Sequence, residues 1–230
     1  NNIADHPSMA QAKIRGIKSL SGHSESTDLT NDVNGGPSGI GIATAAGKAA
    51  FWDMMGADPS LKIIAIEGEF ALTSGHSQEF KTQAVAQRVG KRLRVLMSYN
   101  NAGIDDELIG SIIKEDTYKI EDQWSSYGWN VLKLDDATDY DQVVASLKIM
   151  EDWDSSDRRP MIVIGKTVKG YWPGAADGKL PGGVKQVKDH ASHAYGMPMN
   201  GEYFQALSKS FEDKYSVKFE GIQDGPVSNT

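Results

Sequence analysis

Apolar residues along the chain alternate between two spacings. LKIIAIEG (Leu61 to Gly68), LRVLMSY (Leu93 to Tyr99), WNVLKL (Trp129 to Leu134) and PMIVIGKTV (Pro160 to Val168) are short apolar runs. Such runs are the pattern of strands buried in a parallel sheet. Between them lie stretches with helical character: a small-residue segment from Gly35 to Gly56, and SGHSQEFKTQAVAQRVG from Ser74, with Gly90 as its expected C-terminal cap. A polar-rich segment from Gly110 to Tyr127 and YDQVVASLKIMEDW, from Tyr140 to Trp153, complete the series. Ahead of them, Pro7 to Leu20 predicts a short helix with Met9, Ile14 and Ile17 on one face, and Ser21 to Asn34 reads as a polar loop. Beyond Gly170 the chain turns rich in Gly and Pro, then predicts a last helix around Tyr203 to Tyr215. This strand–helix alternation predicts an α/β fold: three layers, a mostly parallel sheet with helices on both faces. One domain over residues 1–230 is expected, with 171–230 as a Gly/Pro-rich C-terminal excursion and helix. Trp52, Trp129 and Trp153 are expected to pack in the core or between helices.

Composition narrows the function classes. The 24 Lys and Arg against 31 Asp and Glu give a net charge of -7, which argues against a general polyanion binder, so nucleic acid is not an expected partner. A local phosphate site remains open, because it needs only a few donors and a metal. The absence of cysteine excludes disulfides and thiolate chemistry. No apolar run approaches a membrane span and no basic-then-apolar leader opens the chain, so no membrane partner and a cytoplasmic address are expected.

Ligands of open parallel sheets bind outside the carboxyl ends of the strands. Here IIAIEG delivers Gly68, Glu69 and Phe70, and LRVLMSY delivers Asn100, Asn101, Ala102 and Gly103. A carboxylate beside an amide offers hard oxygen ligands to a divalent cation, whose shell phosphate and water complete. The following helix start offers N–H groups to an anion. Taken from these residues alone, a helix-start acid and an Asn turn are the better account.

The surrounding text adds a resemblance. GEFALTSGHSQEF, from Gly68, is similar to the transketolase form of the thiamine-diphosphate motif: Gly68, Leu72, Gly75, Ser77 or Gln78, and Glu79 fall in step. SYNNAGID supplies the motif's ending with Asn100, Ile104 and Asp105. GGPSGIGIATAAGKAA resembles the family's Gly-Pro-Leu-Gly-Gln-Gly helix start, SGHSE its Pro-Gly-His-Pro-Glu, and HASHAYGMP its His-x-x-His-Gly-Ala-Pro. KTVKGYWPG resembles the segment leading to that last motif. The likeness runs from about Ser19 to Pro198.

The resemblance implies that Glu69, Asn100 (with Asn101 as its alternative) and the Ala102 carbonyl hold Mg²⁺ or Ca²⁺, which grips the diphosphate of thiamine diphosphate. Gly68 and Phe70 would line the phosphates, the latter through its backbone N–H, and Gly36 and Ser38 would present backbone to the aminopyrimidine. Close helix packing by small residues also accounts for the Gly36 segment, and both can hold. His23 and His193 match histidines that contact the cofactor or its reactive face, with His190 as a fallback for His193. An exposed loop histidine is the alternative at His193. His76 is expected to be structural. Glu79 matches a carboxylate linking the two active sites of a dimer. The implied activity is two-carbon ketol transfer between sugar phosphates by a homo- or hetero-oligomer. Nothing in the chain resembles the pyrimidine-binding domain, so that domain is expected on another chain or a missing segment. Three departures stand out: Glu69 for Asp, Phe70 for Gly, and Ser74 for Glu. Alternative readings are an E1-type 2-oxoacid dehydrogenase component, which KTVKGY would suit, and a non-catalytic binding or assembly module.

Overall fold

A computed structural model describes residues 38–104, 119–154, 156–175, 178–193, 195 and 201–218. The expected helix at Pro7 to Leu20, the loop after it, and residues 110–118 of the expected Gly110 to Tyr127 helix lie outside those residues. In chain order the described elements are α1 (Ile40–Met54), β1 (Ile63–Gly68), α2 (Gly75–Ala86), β2 (Leu93–Tyr99), α3 (Ile120–Ser126), β3 (Asn130–Leu134), α4 (Tyr140–Asp152), β4 (Met161–Lys166) and α5 (Glu202–Tyr215). Short 3-10 turns at Phe70–Thr73, Val89–Lys91, Pro181–Gly183 and Asp189–Ser192 join them. Each apolar run forms its strand, trimmed by a residue or two at its ends.

The four strands are all parallel, in the order β1-β2-β4-β3. Because side chains alternate along a strand, β2, β3 and β4 feed two cores, whereas β1 feeds one and leaves Ile64 and Ile66 of its other face exposed. Ile63, Ala65, Leu93, Val95, Met97, Ile162 and Ile164 face α1, α2 and α3. Leu96, Leu132, Leu134, Met161 and Val163 face the opposite way, against Met150 of α4 and Trp153. Helices therefore cover both faces, as the alternation predicts. Ala46 and Ala49 of α1 are buried, and their small side chains let that helix lie close on the sheet. A third, smaller cluster centres on Leu180, Ala206 and Leu207, with Trp172 and Tyr203, and seats α5 on the excursion. No helix among the described residues is long and apolar enough to cross a membrane.

Trp129 packs edge-on to Trp124 with ring centroids 4.8 Å apart, and Phe80 lies 5.4 Å from Trp129. Trp52 and Trp153 are partly buried against the first and second cores. Lys81 enters the same aromatic cluster. It is 1% exposed, donates from Nζ to Gln78 Oε1 (3.1 Å) and Gln123 Oε1 (2.9 Å), and stands 4.8 Å from the Trp124 ring centroid. Burial lowers its pKa to about 8. The unfolded chain keeps an ordinary lysine, so between pH 8 and about 10.5 it binds more protons than the native state, and stability rises with pH there. Lys81→Met should abolish that rise and increase the melting temperature at pH 7 by about 3 °C or more, read by calorimetry across pH 7 to 10.5.

One local expectation is corrected. Gly90 is not the cap of α2, which ends at Ala86 with Gln87 as its cap residue. Arg88 then takes a left-handed conformation (φ 53°), and Gly90 sits in the next turn, where its N–H bonds Arg158 O at 3.0 Å. A side chain at Gly90 would collide with the Arg159 backbone. The glycine answers a tertiary approach, not a helix end.

Arg92, fully buried, fastens the start of β2. Its guanidinium pairs with Asp53 and donates to the carbonyls of Ala57, Asp58 and Leu61, holding the connection from α1 to β1.

Candidate functional site

β1 and β2 run side by side to the pair Gly68 and Ser98, then part. One more bond, from Glu69 N–H to Ser98 O at 3.4 Å, carries the contact past the sheet. β1 passes into the turn at Phe70–Thr73, and β2 into the loop of residues 100–103. Glu69 lies between them and is 2% exposed. Its Oε2 accepts from the Asn100 N–H at 3.2 Å, while its Oε1 is buried without a hydrogen-bond partner among the described residues. Burial pushes the Glu69 carboxyl above the ordinary carboxylate range, opposed by the backbone N–H groups around it, including those of Asn100, Asn101 and Ala102.

The loop wraps this carboxylate because two residues bend it. Asn101 adopts a left-handed conformation (φ 55°), which Asn tolerates better than most residues. Asn100 Oδ1 accepts the Ala102 N–H at 2.9 Å, a turn closed by its own side chain. Phe70 finds its space over Gly103, where an added Cβ would stand 3.0 Å from the Phe70 ring. Lys169, beyond β4, donates from Nζ to Gly103 O at 2.6 Å and steadies the loop from its other side.

A second carboxylate joins the same region. Glu67 Oε2 accepts the Gly39 N–H at 2.9 Å, and its Oε1 accepts the Gly68 N–H at 3.2 Å. Gly39 caps the start of α1 with φ 88°; an added Cβ would lie 2.7 Å from Ser77 Oγ and 2.9 Å from Ala71 O. Only glycine fits there, and the turn before α1 is thereby pressed against the end of β1 and the start of α2. Ser38 is exposed on that turn. His76 is exposed and meets Ser74 Oγ at 3.2 Å, and Ser74 Oγ meets Ser77 Oγ at 3.0 Å. The Ser74 that stands in place of a glutamate is thus enclosed in a small hydroxyl–imidazole cluster.

The other candidates are more dispersed. Glu79 is exposed on α2. His193 is exposed after the turn at Asp189–Ser192, with its N–H bonded to His190 O at 3.1 Å. His190 is partly buried. Among the described residues, no hydrogen bond joins Glu79 or His193 to the Glu69 group. His23 and Gly36 lie outside the described residues.

The chain matches the family model "Transketolase, thiamine diphosphate binding domain" over residues 8–202. It belongs to that family. Transketolase of Halalkalibacterium halodurans is 24% identical over 206 residues, covering 86% of this chain and 27% of the relative. Transketolase 1 of Candida albicans is 28% identical over 211 residues, covering 86% and 28%. Campylobacter jejuni transketolase superposes with a TM-score of 0.63 at 22% identity, covering 86% of this chain and 28% of that one. A Pichia stipitis transketolase mutant gives 0.64 at 22% identity, covering 90% and 28%. At that identity the two structures establish the fold. The chain spans little more than a quarter of the length of these curated relatives.

The strand-end residues of this transketolase-family domain suit a divalent cation. A buried carboxylate with one unpartnered oxygen, next to an amide and a backbone carbonyl, is a set of hard donors. Among the described residues no group of three or more His, Cys, Asp or Glu could hold a metal. A cation at Glu69 would therefore depend on amide, carbonyl and ligand oxygens, which is the way Mg²⁺ is held at phosphate sites. Two contributors escaped the sequence reading. Glu67 carried a signal, an acid inside an otherwise apolar strand. Lys169 carried none, since its tie to Gly103 spans 66 residues.

Proposed function

We propose that residues 1–230 act as the thiamine-diphosphate-binding domain of an enzyme of two-carbon ketol transfer between sugar phosphates. The single observation that carries this reading is the buried, unpartnered oxygen of Glu69 beside the Asn100–Ala102 loop. Glu69, Asn100 or Asn101, and the Ala102 carbonyl would hold Mg²⁺ or Ca²⁺. The cation would neutralise the diphosphate, and the Phe70 N–H would donate to a phosphate oxygen. Glu67 holds Gly39 and so positions the turn that carries Ser38; Gly36 and Ser38 would present backbone to the aminopyrimidine ring. His23 and His193 would donate to the cofactor or move protons at its reactive face. Glu79 would contribute at the junction with a second active site. Thiamine diphosphate, when bound, would supply carbanion chemistry toward a ketose carbonyl. This domain supplies binding and orientation, and a pyrimidine-binding domain on another segment or subunit completes the site.

Calorimetric titration with thiamine diphosphate and Mg²⁺, with the pyrimidine-binding partner present, should show saturable binding that disappears when the metal is chelated. No binding under those conditions leaves the non-catalytic module as the better reading. Turnover of pyruvate in place of xylulose 5-phosphate would assign the E1-type activity instead.

A further inference from the structure

The second face of the sheet is covered over only part of its width. α4 lies on β3 and β4, where Met150 packs with Leu132, Leu134, Met161 and Val163. Beside it, Ile64 and Ile66 of β1 stand on the same face and are 56% and 75% exposed. Ile66 pairs in register with Leu96 of β2, which is only partly buried. Among the described residues this apolar strip along β1 and β2 is left open. Parallel sheets are layered by helices on both faces, so isoleucines this exposed call for a cover.

The strip has the dimensions of one helix. The midline of β1 and β2 lies two strand spacings, about 10 Å, from that of β4 and β3. Neighbouring helices pack roughly 8–10 Å apart. On α4, Val144 and Leu147 are exposed at helical spacing, with the exposed Glu151 one turn on. In a right-handed β3–α4–β4 crossover that flank of the helix turns toward β2 and β1. The strip is therefore floored by isoleucine, walled by Val144 and Leu147, and bordered by an acid.

The chain itself carries a segment of matching character. Pro7 to Leu20 places Met9, Ile14 and Ile17 on one face of its predicted helix, and holds Lys13, Arg15 and Lys18 with no acid. A helix over residues 7–20 would run about 21 Å, and β1 runs about 20 Å. Its cations suit the Glu151 margin in a chain of net charge -7. The family match begins at residue 8, so the segment belongs with this domain. Residues 21–37 reach up to about 55 Å when extended, several times the width of the four-stranded sheet, so the tether to Ser38 permits the placement. Other segments suit the strip less. Residues 105–118 join the β2 loop to α3, which packs on the first core. Residues 219–230 include Gly221, Gly225 and Pro226, which interrupt a helical pattern.

We propose that residues 7–20 form an amphipathic helix that docks on this strip beside α4, with Ile14 and Ile17 against Ile64 and Ile66. The occupant is a segment of the same chain, not a second copy. The placement is independent of any cofactor at Glu69.

The chain has no cysteine, so an introduced pair reports this contact alone. In the full chain, Ile14→Cys with Ile64→Cys should form an intramolecular disulfide under mild oxidation. The rate should be about tenfold or more above that of Ala12→Cys with Ile64→Cys, because Ala12 lies on the opposite side of the predicted helix. Hydrogen exchange gives a second readout. Amides of residues 10–20 should exchange about tenfold or more slowly than in a free peptide of that sequence. Ile66→Asp should remove this protection while the β2 amides keep theirs. Should Ile66→Asp fail to fold, Ile14→Asp replaces it, with the same loss expected and the sheet unaltered. Disulfides that join two chains, seen as a dimer on a non-reducing gel and a doubled mass in sedimentation, would assign the strip to a second copy and overturn the proposal. Equal rates for the two pairs, absence of any disulfide, or exchange of residues 10–20 as fast as in the free peptide would overturn it as well.

Discussion

Glu69→Gln should weaken Mg²⁺-dependent binding of thiamine diphosphate by about 100-fold or more, whereas Glu69→Asp should retain binding within about tenfold. The reason is electrostatic. Glu69 is buried with one oxygen unpartnered, and its pKa is raised chiefly by desolvation. A cation relieves that penalty by supplying the missing charge; a glutamine has no charge to offer it. Without ligands the sign reverses. A folded-state pKa above 4.5 means the native chain holds its proton longer than the unfolded chain. The stability this carboxyl contributes is therefore full below about pH 4.5 and is lost as pH rises through the raised value. Glu69→Gln should then melt higher than the parent at pH 7.5 in chelator, and lower than the parent with Mg²⁺ and cofactor. The melting shift produced by Mg²⁺ and cofactor in the parent should also grow from pH 5 to pH 7.5, because cation and proton compete for one carboxylate. Equal affinity in parent and Glu69→Gln, measured by calorimetry, would remove Glu69 from the site.

Arg92→Met should cost about 3–5 kcal/mol in urea unfolding, the scale seen when one partner of a buried ion pair is removed. Arg92 is fully buried and satisfies Asp53 and three carbonyls, those of Ala57, Asp58 and Leu61. Methionine fills part of the volume but leaves all four acceptors without their donor. Arg92→Lys should recover little of the loss, since an ammonium cannot span the same fork of acceptors. Arg92 precedes β2 and Asn100 follows it, so the two mark opposite ends of one strand. Cofactor affinity of the folded Arg92 variant should accordingly match the parent. A loss of affinity at unchanged stability would contradict this division.

The strands were legible because each is a short apolar run, and the two central ones, β2 and β4, are buried on both faces. IIAIEG and NVLKL showed the same apolar pattern at the sheet's edges, although Ile64 and Ile66 stand exposed on one face of β1. Helix identity was legible too, but helix ends were not. At Gly90 the local reading, a cap, lost to a steric demand from Arg159, nearly 70 residues away. Arg92 and Arg94 show the same limit from the polar side. Both flank or enter an apolar strand, yet both are buried, because carbonyls of the neighbouring turns and of α4 come together to receive them.

For the candidate site, residue types and spacing determined which groups could serve. An acid at one strand end, an asparagine at its neighbour's, and motifs in family order were all present in the linear text, and so was the family. Tertiary structure decided the protonation and partners of those groups. Burial of Glu69 depends on how the 100–103 loop closes over it, and that closure rests on Asn101's left-handed turn, on Phe70 lying over Gly103, and on Lys169. The open strip at Ile64 and Ile66 is decided by structure alone. It follows from β1 standing at one edge of the order β1-β2-β4-β3, and that order is a property of the packed sheet. Periodicity can state which faces are apolar, because burial selects them residue by residue. It cannot state which strand ends become neighbours, because that depends on the combined packing of all the elements.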